Sequence, residues 1–139
     1  MKQIKIKSYG LLAALILLTV SLTSCDEPDQ YYSDNLLTYY GWELVAVNGV
    51  PVAELDVCEF QFYDFGNGTY GRYNERGEWY TVPITWEVVY SGGGAEYLYV
   101  YAQGAVQPWE YQMRLYSGRP AVLELDDLFT GDRLTFQAY

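Results

Sequence analysis

From about residue 40 onward the chain alternates apolar and polar residues with a period of two, and turn residues interrupt that alternation at short, regular intervals. Trp42, Leu44 and Ala46 alternate with Glu43, Val45 and Val47 before Asn48-Gly49. Cys58, Phe60 and Phe62 alternate with Glu59, Gln61 and Tyr63 before Gly66-Asn67-Gly68. A third strand spans Thr69 to Asn74. A long fourth sets Val82, Ile84, Trp86 and Val88 on one face, with Pro83, Thr85 and Glu87 on the other. Pro83 cannot donate to a ladder, so it marks a bulge or a free edge. A fifth strand follows from Glu96 to Tyr101, after the flexible Ser91-Gly92-Gly93-Gly94. In the sixth, Trp109, Tyr111, Met113 and Leu115 face away from Glu110, Gln112, Arg114 and Tyr116. Leu123 and Leu125 mark the seventh, and Leu134, Phe136 and Ala138 the last. Helical spacing is lacking over any useful length, a single turn at Val52 to Leu55 excepted. Eight short strands joined by tight turns pair in sequence order. The expected fold is therefore all-β, a single antiparallel up-and-down meander. A meander of that length exposes two edges unless it closes, so a closed or nearly closed barrel is expected.

The first residues follow a different rule. Lys2, Lys5 and Lys7 precede an apolar run from Leu11 to Val20, which leads into Leu22-Thr23-Ser24-Cys25. A basic start, a short apolar stretch and small residues before the break make a secretory signal. Gly10 to Leu22 is 13 residues, shorter than the roughly 20 that a spanning helix needs. The tetrapeptide ending at Cys25 resembles the lipobox of bacterial lipoproteins. That resemblance implies removal of residues 1–24, a thioether from Cys25 to diacylglycerol, and acylation of the new amino terminus by a palmitate-like chain. Each buried methylene adds about 0.8 kcal/mol of membrane affinity, so two or three chains anchor a protein stably. Residues 25–38 are then expected to be an acidic, lipidated tether, with Asp26 to Asn35 disordered, and residues 39–139 the β domain. Asp26 and Glu27 directly after the cysteine resemble the surface-export signal of Bacteroidetes-type lipoproteins. The expected address is the outer membrane, with display at the cell surface.

Charge narrows the partners. After the leader the chain holds five arginines (Arg72, Arg76, Arg114, Arg119, Arg133), no lysine and all 18 carboxylates. Such an acidic domain argues against nucleic acid and against direct adsorption to anionic headgroups. There is no histidine, which removes the commonest general base and the commonest metal ligand together. With Cys25 lipidated, Cys58 has no partner, and its alternation with Phe60 and Phe62 marks a buried core thiol. No catalytic constellation, metal site or cofactor site is expected. Glu75 and Glu78 flank one turn, and Asp126, Asp127 and Asp132 bracket another. Acidic turns of this kind are usually solvated, and neither has the spacing of an acid/base pair or a calcium loop.

Two aromatic sets are candidate sites. Trp42, Phe60, Phe62, Trp86, Trp109 and Phe136 fall on the inward face. They either line a calyx for one small ligand or fill the interior, and their bulk against about 100 ordered residues makes filling the simpler reading. A deep pocket between Trp42, Trp86 and Trp109 would decide for a calyx. Tyr97, Tyr99 and Tyr101 share one face of a strand, with Tyr63 and Tyr116 as further candidates for the same surface. Outward, they would make a platform for a sugar ring or a protein. Spacing alone leaves open the reverse, with Leu98 and Val100 outside.

The opening Gly41-Trp42-Glu43-Leu44, the Phe60-x-Phe62 strand, the Gly68-Thr69-Tyr70 turn, Trp86 and the closing Leu134-x-Phe136 resemble the small lipocalin-like lipoproteins of Bacteroidetes. Gly41 and Trp42 are adjacent here, where lipocalins proper have Gly-x-Trp. A second resemblance is to the META domains of bacterial envelope proteins, carried by Gly41-Trp42-x-Leu44 and Asn48-Gly49-x-Pro51-Val52, without the Gly-Cys-Asn turn of that family. The lipocalin-like resemblance implies a lipid-anchored, non-catalytic module that binds a small apolar ligand or a glycan. The alternative is a protein-interaction or structural component of the envelope with a filled barrel.

Overall fold

The structure, a computed structural model, describes residues 30–139, with side chains from Asn35 onward. The leader, Cys25 and the start of the expected tether lie outside the described residues. Nine strands follow one another: β1 (Gly41–Val47), β2 (Val50–Pro51), β3 (Cys58–Tyr63), β4 (Asn67–Tyr73), β5 (Trp79–Tyr90), β6 (Glu96–Ala102), β7 (Trp109–Tyr116), β8 (Val122–Asp127) and β9 (Arg133–Ala138). From β3 to β9 every strand pairs antiparallel with the next, and β1 pairs with both β3 and β9. The eight long strands thus close into an up-and-down barrel, as the alternation predicts, and the two-residue β2 hangs on β1 as an extra strand. Closure leaves the long strands without the unpaired edge that an open sheet of this size would expose.

The inward residues are those the alternation selects. Trp42, Phe60, Phe62 and Phe136 are at most 1% exposed, and Leu98, Val100, Leu123 and Leu125 are wholly buried among them. Full burial of one large apolar side chain contributes about 1.5–3 kcal/mol, so this interior dominates stability. The phase slips at one place. Leu44 lies opposite Phe136 and Ala46 opposite Thr135, which leaves Val45 as the extra residue of a β-bulge. Val47 consequently falls opposite Leu134 and packs on the core, where strict alternation had placed Ala46. Pro83 stands one residue beyond the β5–β6 register, which begins at Ile84 and Ala102. Its carbonyl accepts from the Gln103 amide at 3.1 Å, so its missing N–H falls where β5 outruns its neighbour. That is the free-edge position expected of it.

The expectation of disorder from Asp26 to Asn35 is corrected over residues 30–35, which are helical. Gln30–Tyr39 is a helix, α1. Its Leu37 is fully buried, and the Trp42 indole N–H donates to the Leu37 carbonyl at 3.0 Å. The last carbonyls of a helix lack partners within it, and here the barrel supplies one. Leu37 joins the barrel's core cluster, a burial that local periodicity does not report. The single turn expected near Val52 to Leu55 is a 3-10 turn at Glu54–Asp56.

An up-and-down barrel sends its connections alternately to its two ends. One end receives residues 35–39, the turns at 64–66, 91–95 and 117–121, and the carboxyl terminus. There the Tyr139 amide donates to the Gly41 carbonyl at 3.0 Å, and its hydroxyl donates to Glu59 at 2.8 Å. A Cβ on Gly41 would come within 2.5 Å of the Tyr139 ring, so a larger residue there would push that ring off the seam. The opposite end carries residues 48–57, 74–78, 103–108 and 128–132. Asn48 and Gly49 have φ of 52° and 81°, the left-handed pair that a two-residue hairpin needs. The Asn48 side chain then ties this turn across the barrel: its Oδ1 accepts from the Arg133 amide at 2.8 Å and its Nδ2 donates to Asp132 at 2.9 Å.

Candidate functional site

The middle of the barrel is filled by rings. Phe60 is the hub, with ring centroids 5.2 Å from Phe62, 5.5 Å from Phe136, 5.1 Å from Tyr70 and 6.4 Å from Trp109. Trp86 meets Phe62 edge-on at 5.3 Å, and its indole N–H donates to the Asn67 carbonyl at 2.7 Å. The space between Trp42, Trp86 and Trp109 that a deep calyx would need is taken up by Phe60, Phe62 and Phe136.

Toward the second end the filling stops, and a cavity of about 510 Å³ opens beside the start of β7. It lies where β8 ends at Asp127, level with Tyr111, while β7 begins at Trp109 and β6 runs on past Trp109 to Ala102. Trp109, Glu110 and Tyr111 make one side, Tyr70 and Asp127 line it further, and Ala105–Pro108 with Leu128 and Phe129 form the rim. Val106 and Phe129 are 98% and 94% exposed. Phe129 stands out of the turn because Asp127 Oδ1 accepts from the Phe129 and Thr130 amides at 2.8 and 3.1 Å, and the Leu128 amide donates to the Glu110 carbonyl at 3.0 Å. A half-open space of this volume falls within the range of small-molecule sites.

The polar groups beneath the cavity are neutral and buried. Burial pushes the Cys58 thiol up to about 11, against a hydrogen bond from Tyr70 and the nearby Arg72, which pull it down. Burial, then the neighbouring Cys58, raises the Tyr70 phenol well above its ordinary range. Tyr111 is 6% exposed, and burial followed by the charge of Asp127 raises it likewise. Its hydroxyl has no hydrogen-bond partner among the described residues, although buried hydroxyls nearly always have one. Asp127 lies directly opposite Tyr111 in the β7–β8 register and so shares its face, whereas Glu110 belongs to the outer face of β7. The two carboxylates therefore do not confront each other as an acid/base pair would. A second, shallower hollow is lined by Arg72, Asn74, Glu75, Arg76 and Tyr80.

Of the six inward aromatics, Trp109 lines this cavity, and Trp42, Phe60, Phe62, Trp86 and Phe136 form the packed interior. Alternation missed Tyr70 and the loop residues Val106, Leu128 and Phe129 as site residues. The signal for the last two was an apolar pair inside a turn, directly after Asp126-Asp127. Tyr97, Tyr99 and Tyr101 lie on the outer face, since Leu98 and Val100 are wholly buried. The Tyr101 hydroxyl donates to Glu87 at 3.2 Å. Tyr63 is in the same cross-strand row as Tyr101, but Asn67 and Thr85 stand between them. Tyr116 sits apart, its hydroxyl on Glu124. The acidic turn residues are engaged with protein: Asp126 with Arg114 at 2.7 Å and Arg133 at 2.9 Å, Glu78 with Arg76 at 3.1 Å, and Asp132 with Asn48. Among the described residues no group of three or more potential metal ligands comes together. Cys25 lies outside the described residues. Comparison with known families, characterised proteins and solved structures finds no match to this chain.

Proposed function

We propose that this protein is a lipid-anchored envelope lipoprotein whose barrel is a non-catalytic binding module, taking a small ligand at its open end. The observation that carries the reading is the inequality of the two barrel ends. One is sealed by Leu37 over Trp42, and the other holds a cavity of about 510 Å³ rimmed by exposed apolar residues. The lipobox resemblance, the acidic residues after Cys25 and the lipocalin-like layout support an outer-membrane, surface-displayed address. A shallow mouth above a filled interior suits a ring or a short segment of a ligand, an apolar group or one glycan unit, better than a long acyl chain.

Two measurements test this. Palmitate incorporation in the expressing bacterium should be lost in Cys25→Ser. Amide chemical shifts of the full chain, titrated with mono- and disaccharides and with small aromatic probes, should move at 105–111 and 127–129. Shifts that stay still throughout, or move only on the outer face of β6, would sink the open-end reading. The second reading, a protein-contact module with no small ligand, is favoured by the filled interior and by Val106 and Phe129 standing free at the rim.

A further inference from the structure

The charge and ring content of the open end restrict what it accepts, and this step rests on the binding-module reading above. No arginine lines the cavity, and the chain after its leader has no lysine. A fatty acid, a phosphate ester or any other anion would thus bury its charge there without a countercharge, in a domain that already repels it. What the cavity offers is the opposite pairing. Tyr70 and Trp109 meet edge-on with centroids 4.9 Å apart, and Tyr111 adds a third ring. Ring faces attract cations. Asp127 shares the inward face of Tyr111, its Oδ1 is held by two turn amides, and no hydrogen bond falls to Oδ2 among the described residues. The buried Tyr111 hydroxyl is a further acceptor with nothing to accept from.

We infer that the open end selects organic cations, an ammonium group carried on a flat apolar body, with the ammonium at Asp127 and Tyr111 and the body against Trp109. The turn amides fix the carboxylate before any ligand arrives, which lowers the ordering cost of binding. Glu110 on the outer rim adds attraction at longer range. The ammonium donates to carboxylate and phenol oxygens while the apolar body covers Trp109 and the exposed Phe129.

The test uses three probes with one ring system: 1-naphthylmethylammonium, neutral 1-naphthylmethanol and 1-naphthoate. Each is titrated into the full chain by calorimetry, with amide shifts to locate the site. The expected result is binding at 105–111 and 127–129 in the order cation, neutral, anion. The cation should be at least about tenfold tighter than the alcohol, a ratio equal to about 1.4 kcal/mol. Asp127→Asn keeps an oxygen for the turn amides, and it should bring cation and alcohol within about twofold. Equal binding of all three probes, or a cation preference that survives Asp127→Asn, overturns the selectivity and leaves the binding-module reading standing. Failure of all three to bind at the open end overturns both.

Discussion

The sealed and open ends of the barrel are made from the same alternating strands, yet they use aromatic residues in opposite ways. At the sealed end the chain satisfies the Trp42 indole through Leu37, and the Tyr139 hydroxyl through Glu59 and Gln61. At the open end the buried Tyr111 hydroxyl has no hydrogen-bond partner among the described residues, and Phe129 and Val106 are left in solvent. The first end spends its rings on burial and so on stability. The second withholds them, at some cost in stability, and keeps a concave surface. A barrel that placed no demand on its mouth would be expected to fill both ends alike.

The sharpest way to break this comparison is to truncate one tryptophan at each end. Trp42→Ala should cost about 3–5 kcal/mol in urea unfolding, as deletion of a fully buried ring does. Trp109→Ala, where the ring is only half-buried, should cost less than half of that while abolishing probe binding. Equal stability costs would mean that the two ends are not functionally distinct. A second test uses alkali, because Cys58, Tyr70 and Tyr111, which burial raises, lie toward the open end. The folded protein holds the Cys58 proton more tightly than the unfolded chain does. Its contribution is therefore complete below about pH 9, the ordinary thiol value, and is lost as the pH rises toward 11. A rise of that size corresponds to about 3 kcal/mol. Tyr70 and Tyr111, also raised, extend the loss to higher pH. Unfolding free energy measured from pH 8 to 11 should fall, and Cys58→Ala should flatten the first part of the fall.

Smaller effects sharpen the picture. Phe129→Ser at the rim removes an exposed ring and should change stability by less than about 0.5 kcal/mol, yet weaken probe binding measurably. A larger stability loss would place Phe129 in the packing and remove it from the site. A last effect of similar size lies on the outer face of β7–β9, beside the 128–132 turn. The Arg133 hydrogen bond, reinforced by Arg114, holds the Asp126 carboxyl below its ordinary range. That contribution is present above the ordinary carboxylate value and is lost as the pH falls below it. Asp126→Asn should cost under about 1 kcal/mol, the ceiling for solvent-screened pairs, and should flatten the acid limb of the stability profile.

Much of the barrel was legible in the residues because period-two alternation is a local property of strands. Trp42, Phe60, Phe62, Trp86 and Phe136 announce themselves as inward by spacing alone. The site was less legible. Trp109 fell within the alternation, but Tyr70 follows a glycine-broken stretch, and Leu128 and Phe129 belong to no strand, so no period marks them. The β-bulge at Val45 escaped for a related reason: nothing in Leu44-Val45-Ala46-Val47 says which of four apolar residues is the extra one until β9 is laid beside them.

The sequence by itself determined the all-β class, the strand order, most of the inward set and the acidic composition. Each of these rests on neighbours along the chain or on composition. Only the tertiary structure decided that Gln30–Tyr39 is helical, that Leu37 is buried over Trp42, that Tyr97, Tyr99 and Tyr101 face outward, and that Asp127 and Tyr111 share one face of a cavity. Those features join residues far apart in sequence, and their free energy exists only once the strands between them have closed the barrel.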